Sequence, residues 1–154
     1  MADQAAQKFE IQKVYVKDIS FETPHSPKIF TEKWNPNTDV HIQTENNKLD
    51  GNLFEVAIVV TVTATQNDAT AFLVEAKQAG IFLIENFLEE QHKQLLGSFC
   101  PNILFPYARE AISDLVAKGG FPQLLLNPVN FDALYQQHVN AVKEQKDNPE
   151  SIKH

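Results

Sequence analysis

Leu53-Phe54-Glu55-Val56-Ala57-Ile58-Val59-Val60-Thr61-Val62-Thr63-Ala64-Thr65 decides the fold. Phe54, Val56, Ile58, Val60 and Val62 fall on one side of an extended chain, with Glu55, Ala57, Val59, Thr61 and Thr63 on the other. That alternation predicts a strand with one apolar and one mixed face. Gln66-Asn67-Asp68 then turns the chain into a second strand from Thr70 to about Leu83. Here Phe72, Val74, Ala76 and Gln78 face one way, and Leu73, Glu75 and Lys77 the other. So short a turn implies antiparallel neighbours.

Towards the amino terminus, Asp50-Gly51 is a hairpin-turn signal, because glycine tolerates positive φ. It closes the turn-rich stretch Glu45 to Asn52, before which a shorter strand is expected from Val40 to about Thr44. The segment from Thr23-Pro24-His25-Ser26-Pro27 to Asn35-Pro36-Asn37 carries Ile29, Phe30 and Trp34 and reads as an irregular crossover loop. Ahead of it, Phe9 to Glu22 predicts another strand. Phe9, Ile11, Tyr15, Ile19 and Phe21 are expected on one side, and Gln12, Asp18, Ser20 and Glu22 on the other with Val14 and Val16.

Past the central pair of strands the period changes. Leu88 to Phe99 predicts a helix with Leu88, His92, Leu95 and Phe99 on a shared face, which Pro101 should end. Leu104, Tyr107, Ala108, Ala111, Ile112, Leu115 and Val116 then recur at helical spacing over about Phe105 to Lys118, with Gly119-Gly120 as a stop. Asn130 caps a last helix carrying Phe131, Leu134, Tyr135, His138, Val139 and Val142 on one side. Strands first and helices after make an α+β fold: a four-stranded antiparallel sheet with helices on one face. The expected organisation is a flexible stretch over 1–8, one domain over 9–142, and a disordered polar tail from Lys143 to His154.

The composition narrows the function classes. A net charge of −7, with Arg109 the one arginine among scattered lysines, gives neither a nucleic-acid groove nor a polybasic membrane anchor. The amino-terminal residues are polar, and the longest apolar run, Val56 to Val62, is too short to span a bilayer. One cysteine, Cys100, cannot form an internal disulfide, so the expected compartment is the reducing cytoplasm.

Enzyme signatures are missing: the sequence has no glycine-rich phosphate loop, no Gly-x-Ser-x-Gly elbow, no Cys-x-x-Cys and no His-Glu-x-x-His. Cys100 beside Pro101 reads as a small buried hydrophobe before it reads as a nucleophile. Glu89 and His92 have the spacing of half a di-iron motif, but the second copy is lacking, so a solvated charged face is the plainer account. No catalytic residue and no metal site is expected, since the histidines are scattered. Two surfaces remain. Ile29, Phe30 and Trp34 either tuck the crossover loop onto the sheet or line an apolar groove. Asp18 and Glu22 on one strand, with Leu73 and Glu75 on another, either keep the sheet face soluble or offer a basic partner a complementary surface.

Several long strings resemble the SecB family of export chaperones. The most specific is Cys100-Pro101-Asn102-Ile103-Leu104-Phe105-Pro106-Tyr107-Ala108-Arg109-Glu110, followed by Gly120-Phe121-Pro122-Gln123-Leu124 and Pro128-Val129-Asn130-Phe131-Asp132-Ala133-Leu134. Tyr15 to Glu22 and Thr61-Val62-Thr63-Ala64 look like the same family, so the resemblance spans roughly Phe9 to Tyr135.

The resemblance implies a homotetramer built as a dimer of dimers, with Val74, Ala76 and Gln78 at positions associated with the tetramer interface. Val74 stands where the family commonly has cysteine. Asp18, Glu22, Leu73 and Glu75 match the acidic surface that receives the basic, zinc-containing carboxy-terminal tail of the SecA motor. That zinc belongs to the partner, and no cofactor is implied for this chain. The loop with Phe30 and Trp34, and the last helix with Phe131, Leu134 and Tyr135, resemble the walls of a groove for extended clients. The function implied is an ATP-independent holdase that keeps unfolded precursor proteins translocation-competent and delivers them to SecA. Two other readings stay open: a small oligomeric α+β enzyme with a subunit-interface site joining Cys100 to another chain's histidine, and a structural adaptor that uses the acidic face alone.

Overall fold

The computed structural model describes residues 5–147. Four long strands, β1 (Lys8–Glu22), β2 (Asn37–Lys48), β3 (Leu53–Gln66) and β4 (Ala69–Glu85), form one antiparallel sheet in the order β1-β4-β3-β2. Helices α1 (Glu89–Gln94), α2 (Cys100–Lys118) and α3 (Phe131–Asp147) follow, with a wide π-helical turn over Leu95–Phe99 between the first two. The expected fold class holds, and β2 extends well beyond the span expected for it. The turn at Asp50-Gly51 forms as expected, with Gly51 at φ +60°.

The two decisive strands pair directly, with Val56 opposite Gly80, Ile58 opposite Gln78, Val60 opposite Ala76 and Val62 opposite Val74. Opposed residues project to the same side, so the apolar faces of β3 and β4 merge into one surface that α2 covers. Val56, Ile58, Val60, Val62, Val74, Phe82, Leu104 and Ile112 are fully buried there. Each such side chain contributes about 2 kcal/mol of transfer free energy. Gly80 lets α2 approach: a β-carbon on it would lie 3.1 Å from a methyl of Leu104.

β1 departs from its expected faces. Its ladder with β4 slips between Ile11 and Lys13 and again between Val16 and Asp18. Each bulge adds one residue and inverts the alternation. Phe9 and Ile11 therefore oppose Ile84 and Phe82, Val14 and Val16 oppose Gly80 and Gln78, and Ile19 and Phe21 oppose Ala76 and Val74, all on the helix side. Tyr15, opposite Ala79, goes to the outer face instead. A strict period of two assigned Tyr15, Val14 and Val16 to the wrong sides, because sequence spacing does not register a bulge.

The helical break expected at Pro101 does not occur. The Cys100 N–H donates to the Leu95 carbonyl, five residues back, and the wide turn leads straight into α2 with Pro101 in its first turn, where a missing N–H is tolerated. Leu88, expected to open the first helix on a face shared with His92, Leu95 and Phe99, lies just before α1 and is largely exposed. Gly119 and Gly120 end α2 as expected, with Gly120 at φ +90°. α3 begins at the predicted cap, the Asn130 Oδ1 accepting from the Ala133 N–H at 3.0 Å. It continues to Asp147, through Lys143, Glu144, Gln145 and Lys146, which are good helix formers. The remainder of the expected tail, and residues 1–4 of the expected flexible start, lie outside the described residues.

Candidate functional site: a groove and the opposite sheet face

Two surfaces on different sides of the sheet gather several of the residues singled out in the sequence. The first is an open groove of about 1120 Å³ between β2, the α1–π-helical segment and α3. Ile42, Leu96, Leu134, Tyr135, Val139 and Val142 give it apolar walls, and Glu90, Lys93, Lys143 and Lys146 charge its rim. Apolar walls with charged edges suit an extended chain held without sequence reading.

α3 owes its seat to a few contacts at its amino-terminal end. Phe131 is buried and meets Phe105 edge-on at 5.8 Å between ring centroids, so it anchors the helix and lies at the groove's base. The Ser98 hydroxyl donates to the Asp132 carboxylate. Tyr135 packs over Gly97, where a β-carbon would lie 2.5 Å from Cδ2 of its ring. Leu134 is left 41% exposed on the groove side.

Phe30 and Trp34 do not reach this groove. They join a separate aromatic cluster with Phe21, Phe72 and Phe121: Trp34 lies 5.2 Å and Phe30 5.0 Å from the Phe121 ring. Trp34 is half-buried and Ile29 fully so, and these two secure the crossover loop on the sheet. Phe30 keeps 48% of its surface exposed. The client-groove residues expected from sequence thus fall into two patches. Phe121 was read only as part of a motif, and its place at the centre of the aromatic cluster has no periodic signal.

The second surface is the sheet's outer face. Glu22 opposes Leu73, Ser20 opposes Glu75 and Asp18 opposes Lys77, so Asp18, Glu22, Leu73 and Glu75 share one area across β1 and β4. Thr61 on β3 stands opposite Glu75 on its other flank and donates its hydroxyl to the carboxylate at 3.0 Å. Leu73 is 37% exposed among these carboxylates.

Other acidic groups on this face are occupied by neighbours. The Tyr15 hydroxyl and the Lys17 ammonium both donate to Glu55, the latter at 2.9 Å. The Tyr15 hydrogen bond, then that of Lys17, hold the Glu55 carboxyl below the usual range against the opposing effect of burial. Burial, followed by the Glu55 hydrogen bond and charge, pushes the Tyr15 phenol up to about 12. Lys77 pairs with Glu45 across the sheet, and that hydrogen bond is the main cause of its raised pKa.

Val74, Ala76 and Gln78 lie on the helix face, buried within the subunit. Gln78 satisfies its amide by donating to the Tyr15 carbonyl at 3.0 Å, beside the second β1 bulge. Cys100 is fully buried, and burial raises its thiol to about 12, far from a nucleophile's range. His92 packs edge-on to Phe54 at 4.7 Å. Among the described residues no three His, Cys, Asp or Glu side chains are grouped to hold a metal, and no helix is long and apolar enough to cross a membrane.

The similarities to known proteins agree with this architecture. The family described as Preprotein translocase subunit SecB matches residues 2–142. The protein-export protein SecB of Methylococcus capsulatus is 56% identical over 142 residues, covering 92% of each chain. That of Pseudomonas aeruginosa strain LESB58 is 48% identical over 149 residues, covering 96% of this chain and 91% of the relative. Among solved structures, the SecB-like chaperone of Mycobacterium tuberculosis, in complex with a peptide from the HigA1 antitoxin, superposes with a TM-score of 0.64. It is 17% identical, covering 79% of this chain and 87% of the other, a likeness of fold. With a family match along nearly the whole chain and close relatives of matching length, the chain belongs to the SecB family of protein-export chaperones.

Proposed function

We propose that this chain is an ATP-independent holdase that binds extended, unfolded precursor segments in the groove between β2 and α3 and passes them to SecA across the outer sheet face. The observation that carries the reading is the groove itself: apolar walls stay open to solvent on a folded subunit, beside an α3 seated mainly through its first turns. Apolar client side chains gain by burial there, and the charged rim accommodates the polar residues between them. The aromatic patch around Phe30 and Phe121 is a second contact for the same client, and spreading one chain over several weak patches raises affinity through effective concentration.

The working particle in this reading is a homotetramer, a dimer of dimers. Ile11, Val16 and Ile19 are exposed on the edge strand β1, as is Tyr107 on α2, and a second copy would cover such surface. Val74, Ala76 and Gln78 would influence assembly indirectly, by setting how α2 lies on the sheet. SecA would meet Asp18, Glu22 and Glu75 around Leu73 through its basic tail.

Binding the unfolded state delays folding by mass action, without nucleotide. Refolding of a chemically unfolded precursor is therefore expected to slow in a stoichiometric excess of the protein, whereas a precursor folded before mixing is expected to stay unbound. Refolding at the free rate in that excess overturns the proposal.

A further inference from the structure

Carboxylates on the outer face are held in two different ways. Glu55 and Glu45 are answered by cations, Lys17 and Lys77 respectively, so much of their charge is spent within the subunit. Glu75 is held by a neutral donor. The Thr61 hydroxyl, directly opposite in the β3–β4 ladder, reaches Oε1 at 3.0 Å, and the contact is partly buried. Among the described residues Glu75 has no ion pair within the subunit, and the carboxylates that raise the Lys77 pKa are Glu45, Glu55 and Asp18.

A hydroxyl fixes a carboxylate's direction and leaves its charge intact, whereas an ammonium fixes it and cancels it. Thr61 is β-branched on a central strand, with a stiff side chain, so its hydroxyl is well placed to hold one rotamer of Glu75. A partner's cation then finds a carboxylate that is already oriented, and less side-chain freedom is lost on binding. We infer that Thr61 is a positioning residue for docking of a basic partner: its hydroxyl orients Glu75 while preserving the negative charge that the partner's lysine or arginine reads. The inference rests on the outer face being the SecA-docking surface and adds a residue that a motif reading assigns only to the strand.

The test is titration of a synthetic, zinc-loaded SecA-tail peptide into the full-length protein and its Thr61→Val, Thr61→Ser and Glu75→Ala variants. Thr61→Val keeps the branch and removes the hydroxyl, and is expected to weaken binding about fivefold, in line with the side-chain freedom that an unoriented Glu75 would then lose on binding. Thr61→Ser restores the donor and should bind within about twofold of the parent protein. In the Glu75→Ala background Thr61→Val should have no further effect, because the residues act through one contact. If Thr61→Val fails to fold by thermal unfolding, Thr61→Ala is the second hydroxyl-free variant and carries the same expectation.

Parent-like affinity for the hydroxyl-free variants, with Glu75→Ala still weakened, overturns the role of Thr61 and leaves the docking surface standing. Equal losses in the Ser and Val variants also overturn it, by showing that shape rather than the hydroxyl matters. No binding by the parent protein removes the docking surface and this inference together.

Discussion

Tyr135 rests on Gly97: a β-carbon on that glycine would stand 2.5 Å from Cδ2 and 2.8 Å from Cε2 of the ring. No ordinary contact is so short, so any side chain at Gly97 must displace the Tyr135 ring. In an exposed helix Ala for Gly gains about 1 kcal/mol of propensity, but overpacking costs roughly 1–3 kcal/mol. Gly97→Ala is thus expected to loosen α3 while the sheet and α2 stay folded. Hydrogen exchange should quicken over Phe131 to Val142 and stay unchanged over β3 and β4, with client retention reduced. Unchanged exchange across α3 would contradict this account of how the helix is seated.

Tyr15 and Glu55 give the fold opposite pH dependences at its two extremes. The lowered Glu55 pKa means that its contribution is full above the ordinary carboxylate range near 4.5 and is lost as pH falls through its folded value. The raised Tyr15 pKa means that its contribution is full below 10 and is lost as pH rises towards about 12. Tyr15→Phe is expected to cost about 1 kcal/mol at neutral pH. It should also flatten both the acid and the alkaline limbs of a stability-versus-pH curve measured by urea unfolding. Limbs as steep as those of the parent protein would rule out the coupling.

Cys100 separates the chaperone from an enzyme built on a thiol. A fully buried thiol with its pKa raised to about 12 is almost wholly protonated at neutral pH. A thiol-reactive disulfide reagent at pH 8 should therefore label Cys100 only after denaturant is added. Cys100→Ala is expected to destabilise by about 1 kcal/mol and to slow precursor refolding as well as the parent protein does. Stoichiometric labelling of the native protein would show the thiol to be accessible after all.

Much of this architecture was legible because most strands keep a strict period. Phe72 to Gln78 and Phe54 to Val62 alternate without interruption, so their buried faces, and the outer placement of Leu73 and Glu75, followed from spacing alone. β1 was legible only in part. Its bulges at Gln12 and Lys17 invert the faces twice, and the clue lay in apolar residues of both parities, Phe9 and Ile11 against Val14 and Val16. Pro101 misled because a proline signals a break only when the turn before it is a regular helix, and here a π-helical turn precedes it. Gly97, a lone glycine inside a helical pattern, was the available sign of a close approach. The separation of Phe30 and Trp34 from Leu134 and Tyr135 had no such sign, since it depends on where the chain after α2 carries Phe121.

The account stands most directly on where an unfolded chain lies. A photo-crosslinking residue placed at Leu134, on the groove wall, and in a second variant at Gln137, an exposed α3 position that does not line the groove, decides it. With a chemically unfolded precursor the expected result is strong adduct formation from position 134, little from 137, and none from 134 when the precursor is already folded. Equal capture at the two positions, or no capture at 134 under conditions where refolding is still slowed, would place the client elsewhere and contradict the claim.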